Sequence, residues 1–213
     1  KKRIANVIAS GFTKILVPNS GGVKLCYIGA EGQVMNITSL TPVNQTGFFT
    51  NYKSTMADSA FVIITHPNFK TEANAYGAYR QTSNGGSHKV IVADIDEVSD
   101  QFAFGIQKHP LIIRNFCRFL MDSLPSKPKN VFLIGKSVQH REMHSVPSAW
   151  PVCLIPSMGI PPSDNLFTVG LTTNDFVTPE IPIGHLAAET PADVTNYLAK
   201  VIQHEGPLTG PPE

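Results

Sequence analysis

Phe61-Val62-Ile63-Ile64-Thr65-His66-Pro67 is the stretch that decides the fold class. It opens with an apolar run that does not alternate with polar residues, and Pro67 ends it. Such a run is typical of a strand that is buried on both faces, and these strands belong to parallel sheets covered by helices. The stretch therefore predicts an α/β domain with a buried strand at 61–65.

Three further segments extend this sheet. Val90-Ile91-Val92 lies in a predicted strand at 88–95, and Val131-Phe132-Leu133-Ile134 lies in one at 130–135. A fourth strand is predicted at 181–184, and Pro182 places it at an edge or a strand start because proline cannot donate to a ladder. The chain therefore predicts a mostly parallel sheet of about four strands, as in Rossmann-like domains.

Helical spacing of apolar residues predicts three helices. They cover residues 69–81, a segment that begins at His109-Pro110 and ends before Pro125, and a segment that begins after Thr190. Thr190 is the expected N-cap of the last one, with Asp193 placed for a capping box. Residues 96–108 are expected to be a connection, and 138–180 to be irregular except for a short strand at 152–156.

The chain is expected to divide into three parts. Residues 1–55 show short apolar pieces separated by turns such as Asn19-Ser20-Gly21-Gly22, which predicts three or four antiparallel strands and the end of a preceding β-domain. Residues 56–206 hold the α/β region. Residues 207–213 have the composition of a linker.

Composition argues against several classes of function. The 17 basic and 16 acidic residues give a net charge of +1, so no basic surface for nucleic acid is expected. No apolar run approaches the roughly 18 residues of a membrane helix, so no membrane span is expected. Cys26, Cys117 and Cys153 are too few and too scattered for a disulfide framework, and Cys117 is expected to be a buried apolar residue.

Gly135-Lys136-Ser137 shares three residues with the phosphate-binding loop. That loop also needs a glycine five residues earlier, where Asn130 stands here, and a helix directly afterwards. Nucleotide binding is therefore not favoured.

Two arrangements of histidine and cysteine in the sequence could in principle support chemistry. His140 and His144 have helical spacing and could bind zinc together with Cys153, but Arg141 stands where a zincin has glutamate, so incidental histidines are favoured. A Cys–His dyad of Cys117 with His109 fails because eight helical residues separate them by about 12 Å. Pairing of Cys153 with His140 or His144 stays open.

Polar residues at predicted strand ends form the last candidate group. His66 and His185 each follow an apolar strand, where ligands of open α/β sheets tend to bind, and a histidine bonded within a loop is an equal alternative. Asp94, Asp96 and Asp164 could bind a cation, although carboxylates in turns usually cap helices.

Six groups of residues, in this order, carry a family resemblance: Ala57-Asp58 with 61–69, 102–105, 109–116, 131–135, 155–157 with 163–165, and 179–186. Their order and spacing resemble the gingipain family of cysteine peptidases, particularly the sortase-like members of bacterial type IX secretion. The resemblance implies a caspase-like α/β fold of two lobes, of which residues 56–206 correspond to the first.

The resemblance also implies where the chemistry lies. In the family the catalytic Cys–His dyad belongs to the second lobe, so no catalytic, cofactor-binding or metal-binding residue is expected in this chain, and this chain alone is expected to be inactive. The implied partners are the second lobe of the same polypeptide and, through it, a peptide or protein substrate. The implied location is extracellular or at the bacterial cell surface or outer membrane.

Three positions depart from the family pattern. Lys136 replaces an acidic residue after the third strand, Asn165 replaces a second aspartate, and His185 replaces an arginine. Two hypotheses therefore stand: the non-catalytic first lobe of a secreted cysteine endopeptidase, or a binding or scaffold module of a bacterial cell-surface protein.

Overall fold

A computed structural model describes residues 6–17, 21–26, 37–53 and 58–206. The chain forms two compact units, residues 1–41 and 42–213. In the first unit, β1 (Asn6–Ala9) pairs antiparallel with β2 (Phe12–Ile15). Ser10 and Gly11 join them with φ angles of 56° and 78°, which is the left-handed geometry that a two-residue hairpin turn requires.

The first unit differs in detail from the strands that we predicted for it. The hairpin turn lies at residues 10–11, and the predicted turn at 19–22 falls partly outside the described residues, as do residues 27–36. Residues 23–26 and 37–40 are described and form no strand. The described part of this unit thus contains two strands, β1 and β2, and both differ in position from the apolar pieces that suggested strands in the sequence.

The second unit contains a parallel sheet of four strands in the order β4-β3-β5-β6. The strands are β3 (Phe61–Thr65), β4 (Val90–Asp94), β5 (Asn130–Ile134) and β6 (Ile183–Leu186). The predicted α/β class and the four-stranded sheet are confirmed. The fourth strand lies two residues later than predicted, because Pro182 precedes it at the edge of the sheet.

Six α-helices occur in the described residues of this unit. They are α1 (Lys70–Gln81), α2 (Ile95–Phe102), α3 (Leu111–Ser123), α4 (His140–Ser145), α5 (Ala149–Val152) and α6 (Pro191–Glu205). Turns of 3-10 helix lie at Val43–Gln45, Pro67–Phe69 and Asp164–Phe167. The capping box predicted at the start of α6 is present, since Thr190 and Asp193 bond each other's main chain.

The position of β3 explains its uninterrupted apolar sequence. Val62 and Ile64 join one core cluster with Ile113 and Phe116 of α3, and Ile63 joins a second cluster on the opposite face with residues of α1 and α6. All five residues of β3 are buried because both faces are covered. Each fully buried aliphatic side chain contributes roughly 1.5–3 kcal/mol by leaving water.

Two local predictions were wrong: the connection expected at 96–108 contains a helix, and 138–180, expected to be irregular apart from a strand at 152–156, contains α4 and α5. Residues 95–102 form α2 because Asp94 caps it through a 3.0 Å hydrogen bond from the Asp96 amide, and its Ile95 and Val98 are buried at helical spacing. Residues 152–156 form no strand. Val152 ends α5, and the Leu154 and Ile155 amides both donate to the single carbonyl of Lys136 instead of forming a ladder.

The segment 42–53 packs within the second unit, earlier in the chain than the boundary predicted near residue 55. Glu97 of α2 accepts a 2.7 Å bond from the Asn44 amide group and a 2.6 Å bond from the Thr50 main chain. Tyr52 is buried, with its ring 4.8 Å from that of Phe116. Across the described ranges, each helix is too short or too polar to cross a membrane.

Candidate functional site at the carboxyl edge of the sheet

The four strands of the sheet end level with one another. Thr65 is in register with Asp94 on one side and with Ile134 on the other, and Ile134 is in register with Leu186. We call the residues at and after these strand ends the carboxyl edge. Ligands of open α/β sheets bind at this edge, and most of the polar residues selected from the sequence lie there.

His185 is the most strongly engaged side chain of the carboxyl edge. Its Nδ1 atom lies 3.0 Å from Asp164 Oδ2, and its Nε2 atom lies 2.7 Å from the carbonyl oxygen of Gly135. Burial lowers the pKa of His185, but the bonds to Asp164 and to Gly135 outweigh burial, so the net pKa lies above its ordinary value. The contacts of His185 therefore favour its protonated form.

Arg114 of α3 anchors the segment that follows Asp164. The guanidinium of Arg114 donates to the carbonyls of Leu166, Val169 and Gly170 at 2.8, 2.7 and 3.0 Å. Phe167 of the same turn is fully buried in the core. Asp164 consequently reaches His185 from a well-anchored segment.

Lys136 is paired within the carboxyl edge. Its Nζ atom lies 2.8 Å from Glu189 Oε1, in an ion pair that is partly exposed. The main-chain amide of Lys136 donates to Ala188, and that of Gly135 donates to Leu186. β5 and β6 therefore remain hydrogen-bonded to each other beyond Ile134 and Leu186, the last residues of the two strands.

The Gly-Lys-Ser motif does not form a phosphate-binding loop. Gly135 has a φ of 141°, Lys136 is paired with Glu189, and the Ser137 hydroxyl donates to the Ile155 carbonyl at 2.9 Å. The next helix is the six-residue α4, which starts only at His140. A shallow cleft of about 370 Å³ lies beside these residues, lined also by Glu142, Val146 and Val152.

His66 contrasts with His185. Its Nδ1 atom accepts a 3.3 Å bond from the Asn68 amide and so caps the turn Pro67–Phe69. Burial lowers its pKa, and Lys108 lowers it further, against the opposing charges of Asp96 and Asp94. An acceptor role for Nδ1 requires an unprotonated nitrogen, so His66 is neutral.

The carboxylates at the end of β4 act as caps and ion-pair partners. Asp94 caps α2 and lies 3.5 Å from the Lys70 ammonium. Burial raises the pKa of Asp96, and repulsion from Asp94 adds to this. Asp164 lies with His185 instead, so the three aspartates proposed for a cation do not share a site.

The described side chains of α4 do not define a metal centre. His140 and His144 lie one turn apart on the helix, as predicted, although the side chain of His144 is outside the described residues. Among the side chains that the structure describes, no group of three His, Cys, Asp or Glu residues is placed to bind a metal ion.

Two thiols of the α/β unit are buried in protonated form. Cys117 lies on the buried face of α3, fully enclosed in the core, and burial raises its pKa to about 12. The Cys153 thiol donates to the Ile155 carbonyl at 3.3 Å, and burial raises its pKa despite a main-chain bond and the charge of Lys108. His109 lies before α3 and accepts from the Leu111 amide.

Two groups of contacts were not predicted from the sequence, and the first of them lies before β6 and not at the carboxyl edge. Glu180 accepts hydrogen bonds from the amides of Leu171, Thr172 and Thr173 and closes the loop before β6. Lys108 donates to the Trp150 carbonyl and lies 4.8 Å from the centre of its ring. The Glu180 contacts could have been predicted, because Thr172 and Thr173 lie only a few residues away in sequence. The contact of Lys108 with Trp150 could not, because it joins residues 42 apart.

Comparison with known proteins identifies the family of the chain. The model of peptidase family C25 matches residues 54–212, so the chain belongs to peptidase family C25, the gingipain family, and the resemblance found in the sequence is confirmed. Among solved structures, the dimeric latent PorU from Porphyromonas gingivalis is similar with 17% identity and a TM-score of 0.49. The match covers 66% of this chain and 15% of that chain. No curated protein matches the chain.

Proposed function

We propose that residues 42–206 form the non-catalytic first lobe of a gingipain-like cysteine endopeptidase, and that a second lobe of the same polypeptide carries the Cys–His dyad. The family assignment supports the peptidase class. In this proposal the carboxyl edge supports the second lobe and gives no nucleophile of its own.

The state of the two buried thiols is the observation that carries this proposal. A cysteine nucleophile needs a thiolate, and environments that activate cysteine lower its pKa and leave the sulfur accessible. Cys117 and Cys153 are fully buried, and burial raises the pKa of both. Neither thiol has the surroundings of a peptidase nucleophile.

The proposed chemistry takes place on the second lobe. There a thiolate attacks the carbonyl carbon of a peptide substrate, the C–N bond breaks, and the amine leaves with a proton supplied by histidine. Water then hydrolyses the resulting acyl-enzyme. The substrate is therefore a peptide or protein.

A binding or scaffold module is the second candidate, and one feature of the carboxyl edge favours it. Lys136 pairs with Glu189 and His185 pairs with Asp164. Two of the three departures from the family pattern thus have partners within this lobe. A lobe that satisfies these charges internally can be stable without a catalytic neighbour.

The family also supports a location for the protein. Gingipain-like peptidases of type IX secretion act outside the cell, so we propose an extracellular or cell-surface location, with no nucleic-acid partner. Antibody labelling of intact source cells, before and after permeabilisation, tests this location. Labelling only after permeabilisation would contradict it.

The reading frame of the source provides the test of the proposed activity. The polypeptide that it encodes past Glu213 is expressed together with this chain and assayed on a library of fluorogenic peptides. We expect hydrolysis that iodoacetamide abolishes, and loss of activity when a cysteine after Glu213 is replaced by alanine. A longer polypeptide without such a cysteine, or one that is inactive, would favour the scaffold function.

A further inference from the structure

The two hydrogen-bond partners of His185 are compatible only with its protonated form. A main-chain carbonyl and a carboxylate both accept hydrogen bonds and neither donates. A neutral imidazole has one N–H group, so it could satisfy either Asp164 or Gly135 and would turn a lone pair towards the other. The simultaneous contacts of 3.0 and 2.7 Å therefore require an imidazolium ion.

We propose that protonated His185 is a pH-sensitive attachment that holds the Asp164–Phe167 turn against the carboxyl edge of the sheet. When His185 loses its proton, one of its two acceptors faces a lone pair, and the attachment between the turn and β5 is broken. The proposal stands independently of whether the parent protein is a peptidase.

Few other charges act on His185. It lies on β6, which packs against β5 and against the Asp164–Phe167 turn. β5 has no titratable side chain, and Asp164 is the titratable residue of the turn. Just outside these elements, Lys136 and Glu189 neutralise each other, and Arg114 is bound to carbonyls of the segment 166–170.

The direction of the pH effect follows from this pair. The pKa of His185 in the folded protein lies above its ordinary value of 6.5. The stabilisation is therefore complete below pH 6.5 and is lost as pH rises through the folded pKa. The turn is thus fully attached at pH 6.5 and loosens as the pH rises above that value.

A titration of the intact 213-residue chain tests the proposal without any substitution. The His185 ring carbon shift in NMR reports its protonation, and amide exchange, expressed as protection factors, reports the order of Leu166, Thr168 and Val169. We expect a titration midpoint above 6.5 and a fall in protection at these three amides over the same pH range. A midpoint at or below 6.5, or protection that is independent of pH, would overturn it.

Three variants sharpen the result. His185→Arg keeps a cation with several donors, so protection should persist as the pH rises above 6.5, whereas Asp164→Asn should lower the His185 midpoint. His204→Gln, at an exposed position on α6, is the matched control and should leave both readouts unchanged. A His185→Arg protein that loses protection as the wild type does, or an Asp164→Asn protein with an unchanged midpoint, would contradict the proposal.

Discussion

Arg114 donates a hydrogen bond of 2.7 Å from Nη1 to the carbonyl oxygen of Val169. The same guanidinium reaches the carbonyls of Leu166 and Gly170, so one side chain of α3 satisfies three acceptors in the segment after Asp164. Because unpaired acceptors in a protein interior are costly, we expect Arg114 to stabilise the segment 166–170 next to His185.

Replacing Arg114 with alanine should therefore destabilise the protein by about 2 kcal/mol or more, since charged donors to three carbonyls are lost. Urea unfolding measures the change. Arg118→Ala is the matched control one turn along α3, where the side chain is exposed and pairs loosely with Asp122 at 3.4 Å. That control should cost less than about 1 kcal/mol. Equal losses in the two variants would show that the carbonyl contacts contribute little.

The hydrogen bonds of Glu180 to residues 171–173 indicate that the loop before β6 is sensitive to acid. Desolvation raises its pKa, but bonds from the Thr172 hydroxyl and amide, then from the Thr173 and Leu171 amides, bring the pKa to about 2. Because this lies below the ordinary 4.5, the loop is fully stabilised above pH 4.5 and loses this support as pH falls towards 2. Protection factors for exchange of the Leu171 and Thr172 amides should fall in acid, and in Glu180→Gln they should be lower already at pH 7. Protection that Glu180→Gln leaves unchanged at pH 7 would refute this.

Gly135 should not tolerate a side chain. Its φ is 141°, and a Cβ atom there would lie 2.9 Å from Ile155 Cγ1 and 3.2 Å from Leu154 Cβ. Gly135→Ala should cost roughly 1–3 kcal/mol in urea unfolding, from backbone strain and crowding. Gly184→Ala is the control on the neighbouring strand, where the added carbon meets Phe132 at an ordinary 3.4 Å. A loss from Gly184→Ala as large as that from Gly135→Ala would contradict this reading.

The thiols should differ in reactivity. Cys26 is exposed, whereas Cys117 and Cys153 are buried. At pH 8 iodoacetamide should label Cys26 rapidly, and the other two only as fast as the protein opens, because burial raises the pKa of each of them. Mass spectrometry of tryptic peptides measures the rates, and in urea all three should react alike. Rapid labelling of Cys153 in the folded protein would mark it as a candidate nucleophile.

The parts of the fold that the sequence predicted are those in which one segment contains its own signal. β3 reads as an unbroken apolar run because helices cover both its faces, and α6 begins at a Thr-Pro-Ala-Asp sequence with a complete capping box. α2 was missed because its buried Ile95 and Val98 lie among acidic residues in a helix of only eight residues. A short helix gives too few turns for periodicity to emerge.

The carboxyl edge was predicted as a position but not as a set of contacts. His185 and Asp164 were each selected from the sequence, yet for different reasons: one as a strand-end histidine, the other as a possible cation ligand. Their contact joins residues 21 apart in the chain and depends on Arg114, which fixes the turn from a third element. Local pattern cannot report a contact that three separate segments create.

If the chain supplies a lobe and no peptidase nucleophile, the purified 213-residue chain should be inactive in a peptidase assay. The assay uses a fluorogenic peptide library with and without iodoacetamide, beside a chain in which Cys26, Cys117 and Cys153 are replaced by alanine. We expect no hydrolysis above background from either chain. Hydrolysis by the native chain that iodoacetamide blocks, and that the cysteine-free chain lacks, would contradict it.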